Sequence, residues 1–368
     1  MRRLTARRHR GPWRLGTRRP GSRSHRGAVA PFALVIGLVL AATGPTGAVV
    51  AGPGAPARSV AARSIVARHA ATRQAVAGVA TANGCSAPAQ TATGQYTNPG
   101  GDGYWLTTEG GVVRAYGNAH AGGSAPGSGS RVVGILPAPA SGGGSSNADA
   151  YLQVTAGGIV VPSNGAPSYG DLSGVRLSSP IVGIAPAGQG YWLAAADGGV
   201  FAFGDAPFYG SMAGRHLNAP IVGIASAGLG YWLVAADGGV FAFGDARFFG
   251  SMAGRHLNAP IVGIATPRNV PAFPGYWLVA ADGGVFSFGD ARFLGSMGGR
   301  HLNAPIVAMA FGSDVAAGTD ALGDQGYWLA GADGGVFAFG DVAFCGSGAT
   351  QPAAQPVVGI ASRFTPPL

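Results

Sequence analysis

The 368 residues include 24 basic and 15 acidic side chains, a formal net charge of +9, but the excess is not spread over a folded surface. All 24 basic residues are Arg. Ten lie within residues 1–27 and four more at Arg58, Arg63, Arg68 and Arg73, so from residue 78 onward ten Arg face all 15 acidic residues. A nucleic-acid footprint would have to sit on the folded part, and that part is acidic, which excludes nucleic acid as the expected partner.

In chain order, Arg2 to Arg26 is a basic stretch and residues 28–42 (AVAPFALVIGLVLAA) are an apolar run. Small residues follow, with Val49-Val50-Ala51 a fitting cleavage site. This is the form of a secretory signal over 1–51, so the mature protein is expected outside the cell. The run is short for a membrane span and contains Pro31; a retained anchor is the alternative. Residues 52–77 read as a flexible Ala/Arg/Pro-rich spacer, since Arg58, Arg63, Arg68 and Arg73 recur every five residues, a period of neither helix nor strand. A polybasic arm contacting wall or membrane is the sharper reading.

Residues 78–368 are a repeat domain. Gly230–Ala265 reads GYWLVAADGGVFAFGDARFFGSMAGRHLNAPIVGIA, and Gly190–Ala225 differs from it only at Ala194/Val234, Pro207/Arg247 and Tyr209/Phe249. Self-similarity at about 40 residues is the period of propeller blades. Within the unit, Tyr231–Ala235 and the apolar run Ile261–Ala265 predict buried strands. Asp237-Gly238-Gly239 predicts a tight hairpin turn, and Val240–Phe243 a third strand. Phe248-Phe249 is expected to add a short outer strand. Repeats open at Tyr104, Tyr151, Tyr191, Tyr231, Tyr276 and Tyr327, the second being degenerate. The expected fold is therefore all-β, a propeller of six blades of about 40–50 residues. Val357–Ala361 is expected to pair with the first repeat and close the ring. A seventh blade built in part from residues 75–102 is the alternative.

The units GYWLVAADGGVFAFGDA and HLNAPIVGIA resemble a secreted repeat of actinobacterial proteins that often stands beside cell-wall hydrolases or other extracellular modules. The order P-IVGIA, YWL, DGGVFAFG, GS is also similar to a blade of the regulator-of-chromosome-condensation propellers. The resemblance covers roughly residues 103–361. It implies a β-propeller and brings no settled activity. An acidic secreted domain departs from a chromatin partner, and no hydrolase module accompanies the repeat here to lend an enzyme role.

Several groups are weighed as sites. Cys85 precedes the first full repeat and Cys345 stands in the last, so ring closure would bring them together in a disulfide closing about 260 residues; two separate thiols are the alternative. Asp197, Asp237, Asp282 and Asp333 recur in the hairpin turn, and Asp205, Asp245, Asp290 and Asp341 in the next turn. Recurrence once per blade favours turn chemistry over acid–base or calcium work. The Tyr-Trp pairs are expected to pack between blades with their polar atoms tethered. Arg215, His216 and Asn218, Arg255, His256 and Asn258, and Arg300, His301 and Asn303 sit in three copies of Arg-His-Leu-Asn-Ala-Pro. They are the candidate binding edge, against the plainer reading of a duplicated inter-blade loop. Asp314, Asp320 and Asp324 lack EF-hand spacing, and no metal or cofactor is expected. His120 and Asp171 break the repeat pattern with no nucleophile beside them.

Extra residues accumulate at one junction, between the IVGIA strand and the next Tyr: that Tyr comes seven positions after the Ile in repeats three and four, but 12 after Ile264, 18 after Met309 and 16 after Ile135. Long loops on one face of a rigid scaffold are where binding concentrates. The expectation is a monomeric, non-catalytic propeller, secreted or held at the cell wall, that binds an extracellular protein or cell-envelope glycan through its long-loop face. The alternative is a propeller hydrolase or lyase with an asymmetric site near repeats one and two.

Overall fold

The computed structural model describes residues 103–123, 129–138, 149–267, 274–313, 325–340, 342–350 and 354–363, and the short strands β1 (Ala89–Gln90) and β2 (Tyr96–Thr97), which pair with each other. The expected signal and spacer lie outside the described residues. Blade 1 starts with β3 (Tyr104–Thr108) and β4 (Val113–Tyr116). Blade 2 is β5 (Val132–Pro137), β6 (Tyr151–Thr155) and β7 (Val160–Ser163); blade 3 is β8 (Ile181–Pro186), β9 (Gly190–Ala195) and β10 (Val200–Gly204). Blade 4 is β11 (Ile221–Ser226), β12 (Gly230–Ala235) and β13 (Val240–Gly244); blade 5 is β14 (Ile261–Ala265), β15 (Gly275–Ala280) and β16 (Val285–Gly289). Blade 6 is β17 (Ile306–Ser313), β18 (Gln325–Gly331) and β19 (Val336–Gly340), and β20 (Val357–Ser362) returns to blade 1.

Each blade is a three-stranded antiparallel sheet. Its middle strand is flanked on both sides and therefore buried: every residue of β3, β6, β9, β12 and β15 is buried. The turn to the third strand needs a left-handed residue, and one Gly supplies it in each blade (Gly111, Gly158, Gly198, Gly238, Gly283, Gly334; φ 79–86°). At Gly238 a side chain is doubly excluded, since a Cβ would lie 2.5 Å from that of Met252. Asp237 closes the turn by accepting the Gly239 N–H at 2.9 Å. The hairpin Asp residues thus do turn work, as their recurrence predicts.

The inner strands β5, β8, β11, β14, β17 and β20 lie side by side in that order, and β20 lies beside β5. The ring therefore closes with six blades. Closure uses the expected strand: β20 pairs with β3, Val357 opposite Thr108 and Ala361 opposite Trp105. The seventh-blade alternative is not what forms, because β1 and β2 pair only with each other.

Two aromatic rows hold the blades together. Trp105, Trp192, Trp232, Trp277 and Trp328 are fully buried, as are the six repeat-opening Tyr residues. Each Trp packs on the Tyr of the following blade with ring centroids 4.9–5.3 Å apart, and Trp328 packs on Tyr104 across the closure. Blade 2 has Leu152 instead of Trp, so the row is interrupted only between blades 2 and 3. Each of these five Trp Nε1 atoms donates to a backbone carbonyl fifteen residues on, at 2.7–3.0 Å. Every one of the six Tyr hydroxyls donates to a Gly carbonyl of the preceding blade's outer segment. Buried aromatics with polar tips are satisfied in this way.

These hydroxyls also explain one correction. The outer strand expected at Phe248-Phe249 does not form. Tyr276 Oη accepts the Phe249 N–H at 3.2 Å and donates to Gly250 O at 2.6 Å, drawing this segment across to blade 5 and away from its own sheet.

Candidate functional site

Each Arg-His-Leu-Asn-Ala-Pro loop is held by a short network at the turn end of the strands. Met212 N donates to Gly198 O and Arg215 N to Met212 O, each at 2.9 Å; beyond the loop Ala196 N donates to Pro220 O and Ile221 N to Ala196 O, also at 2.9 Å. Leu217 is half-buried and anchors the loop. Between blades 4 and 5 and between blades 5 and 6 the same bonds recur at Met252, Arg255, Met297 and Arg300. Sequence identity has become geometric identity three times over.

The side chains of Arg215, His216, Asn218, Arg255, His256, Asn258, Arg300, His301 and Asn303 are all exposed. None makes a hydrogen bond or ion pair among the described residues. The loop between blades 3 and 4 borders an open groove of about 610 Å³ lined by Asp197, Arg215, His216, Asn218 and the apolar Leu217 and Pro220. Donors from Arg and Asn, an imidazole, and the carboxylate of Asp197, which also accepts the Gly199 N–H at 3.0 Å, suit a polar ligand rich in both donors and acceptors.

These loops are not on the face that carries the long loops. The junctions between inner and middle strands lie at the opposite end of the blade, beside the end of the third strand: Asp205 N donates to Gln189 O, Asp245 N to Leu229 O and Asp290 N to Pro274 O at 2.9–3.1 Å. A strand of five or six residues separates the two faces by roughly 15–20 Å. Most of the inserted residues, 139–148, 268–273 and 314–324, lie outside the described residues, and Asp314, Asp320, Asp324 and Asp341 with them.

One polar cluster escaped the sequence reading. Asp149 Oδ2 is 3.0 Å from His120 Nδ1, while its Oδ1 accepts the His120 N–H at 3.1 Å and Arg363 Nε at 2.8 Å. Asn164 Nδ2 donates to Asp149 O at 2.7 Å, and Arg363 N donates to Gly103 O at 2.8 Å. The His120 side chain is 70% exposed and that of Asp149 16%. Burial alone would push the Asp149 carboxyl up, but Arg363 and the His120 N–H outweigh it and hold it below the ordinary carboxylate range. His120 stood out by breaking the repeat. Its partners did not, because Arg363 is 214 residues from Asp149. Asp171 is engaged elsewhere, accepting from Ser173 N at 2.8 Å and Val160 N at 3.4 Å.

The buried tyrosines are built as permanent donors. Burial pushes the Tyr327 hydroxyl up to about 12 and raises those of Tyr191, Tyr231 and Tyr276 in the same direction. Cys345 is buried at the junction of blades 6 and 1, where its N–H donates to Tyr104 Oη at 3.3 Å. Its expected partner Cys85 lies outside the described residues.

No protein family profile matches the sequence, and no curated protein sequence matches it. Solved structures do resemble the fold. BBS1N, in a crystal structure with ARL6DN, is 13% identical with a TM-score of 0.40, over 64% of this chain and 77% of that one. The WD40 β-propeller domain of Doa1 is 10% identical with a TM-score of 0.36, over 65% and 69% of the two chains. The computationally designed Ika4 protein is 15% identical with a TM-score of 0.30, over 46% of this chain and 95% of that one.

Proposed function

We propose that this chain is a secreted, non-catalytic binding propeller that engages an extracellular protein or a cell-envelope glycan through the face carrying the Arg-His-Asn loops. The observation behind this reading is the threefold presentation of Arg215, His216 and Asn218 and their equivalents: nine exposed side chains on three consecutive blades, without partners among the described residues. Repetition favours multivalent contact, in which each added weak site raises retention without any new kind of contact. The Cys85–Cys345 disulfide belongs to the same proposal as a staple suited to an oxidising compartment.

The test is co-sedimentation of the purified chain with isolated cell walls of the source organism, read against salt, beside a pull-down of extracellular proteins. Saturable retention by either arm, lost in Arg215→Ala/Arg255→Ala/Arg300→Ala, supports the reading. Retention unaffected by the triple variant rejects this face.

A second reading, an extracellular hydrolase or lyase, is favoured by one observation. Asp149 orients the exposed His120 as a carboxylate orients a general base, in the asymmetric part of the ring. Release of soluble fragments from cell walls, abolished in His120→Ala, would establish it over the first.

A further inference from the structure

We propose that the outer rims of blades 3–6 are strand-pairing surfaces through which one copy of this chain associates with another. Among the described residues, the outermost strand of every blade has a neighbouring strand on its inner side only. The segment that follows leaves for the next blade, as Gly250 does toward Tyr276. Alternate residues of the edge strand therefore turn their N–H and C=O groups outward, and among the described residues no backbone-to-backbone hydrogen bond is made there; in blade 2 the Val160 N–H is taken by Asp171.

Blade 2 identifies those residues. Pro162 stands in β7 opposite Leu152, the register position of Ala242 opposite Trp232. Proline has no N–H to give and is accommodated in a sheet where that group would face outward. The same register places Ala202, Ser287 and Ala338 at this position in the other blades.

An open edge is a template for another strand unless guarded, and charge and proline are common guards. Blades 1 and 2 carry one each, Arg114 in β4 and Pro162 in β7. The edges β10, β13, β16 and β19 carry neither; they read VFAFG, VFAFG, VFSFG and VFAFG. Short, uncharged, aromatic strands without proline have a high pairing tendency.

The strand itself argues for a second copy as the occupant. Laid antiparallel, VFAFG meets the same length, the same spacing of outward amides and the same apolar side chains, and the strand itself carries no charge to repel an identical partner, the Asp residues of each blade standing beyond its ends. One such pair is far smaller than the ~800 Å² per partner of a stable interface. Association through it is weak and rises with concentration, and four open edges per copy allow it to continue beyond a dimer. Dilute protein is monomeric on this account.

Sedimentation velocity of the full chain over a wide concentration range tests this. The weight-average mass should rise to roughly twice the monomer value or more at the top of the range. Two sets of guarded variants copy residues the molecule already tolerates. Ala202→Pro/Ala242→Pro/Ser287→Pro/Ala338→Pro copies Pro162, and Phe201→Arg/Phe241→Arg/Phe286→Arg/Phe337→Arg copies Arg114, which holds that register position in blade 1. Each set, once shown folded by circular dichroism, should remain monomeric throughout. Hydrogen exchange on the unmodified chain needs no variant: the Ala202, Ala242, Ser287 and Ala338 amides should gain protection as concentration rises. Unmodified protein that stays monomeric, folded guarded variants that associate equally, or edge amides whose exchange ignores concentration would each overturn the proposal.

Discussion

Blades 3–5 and blades 1–2 solve the same packing problem with different chemistry. In blades 3–5 the middle strand reads GYWLAA or GYWLVA, and its Trp, Leu and small residues are buried without a polar side chain besides the tethered Tyr and Trp tips. In blades 1 and 2 the same positions hold Thr107, Thr108, Gln153 and Thr155, all at most 2% exposed. Gln153 reaches across the blade boundary to Thr107 Oγ1 at 2.7 Å and to Gly111 O at 3.0 Å, but its Oε1 is buried without a partner. The Asp149 cluster lies on this side of the ring too. Repetition gives uniform apolar packing and a repeated binding face; divergence gives polar contacts that join the start of the ring to its end.

The largest expected effect comes from cutting the repeated side. Trp232→Ala removes a buried ring packed on Tyr276 and should cost about 3–5 kcal/mol in denaturant unfolding. Loss of less than a third of that would mean the aromatic row is not what joins these blades.

Breaking the divergent side should cost less. Asp149→Ala leaves Arg363 and the His120 N–H without their acceptor, and roughly 1–3 kcal/mol should be lost. The same residue sets an acid limb. Its folded-state pKa is depressed, so its contribution is present above the ordinary carboxylate value near ~4 and is lost as pH falls through the lower folded value. Stability-versus-pH curves of the parent and of Asp149→Asn should converge in acid; curves that remain parallel would remove Asp149 from ring closure.

A third substitution sharpens the comparison by making blade 2 resemble its neighbours. Thr107→Val/Gln153→Leu replaces both partners of the buried pair and removes the orphaned oxygen. Removal of the orphaned oxygen is set against loss of the donor to Gly111 O, so the unfolding midpoint should move by no more than about 1 kcal/mol in either direction at unchanged denaturant slope. A larger loss of stability would show that the polar contacts are needed where they stand. The smallest effect belongs to Arg215→Ala/Arg255→Ala/Arg300→Ala, which should alter stability by no more than about 0.5 kcal/mol per site while reducing binding.

Local chemistry made most of the ring legible. The Asp-Gly-Gly turns and the repeat-opening tyrosines predicted the hairpins, because tight turns and buried strands are specified within a few residues. Val357–Ala361 was recognisable as the closing strand because it is the sixth IVGIA-like segment and the one with no repeat-opening Tyr after it. The absent outer strand was not legible: Phe248-Phe249 has strand character, and only a hydroxyl from the next blade diverts it. Nor was the separation of the Arg-His-Asn loops from the long loops, since residues close in sequence can leave opposite ends of one strand. The nine candidate side chains were readable as a set because duplication preserved them, whereas His120, Asp149 and Arg363 share no motif.

The sequence by itself determined that the chain is a β-propeller, where each blade starts, and which residues turn or fill it, because a 40-residue unit carries its own turns and apolar periodicity. Tertiary structure alone decided that three strands make a blade, which face each loop occupies, and that Arg363 meets Asp149. The reason is closure: a ring brings together residues that no local preference relates, and the hydrogen bonds of one blade are completed by the next.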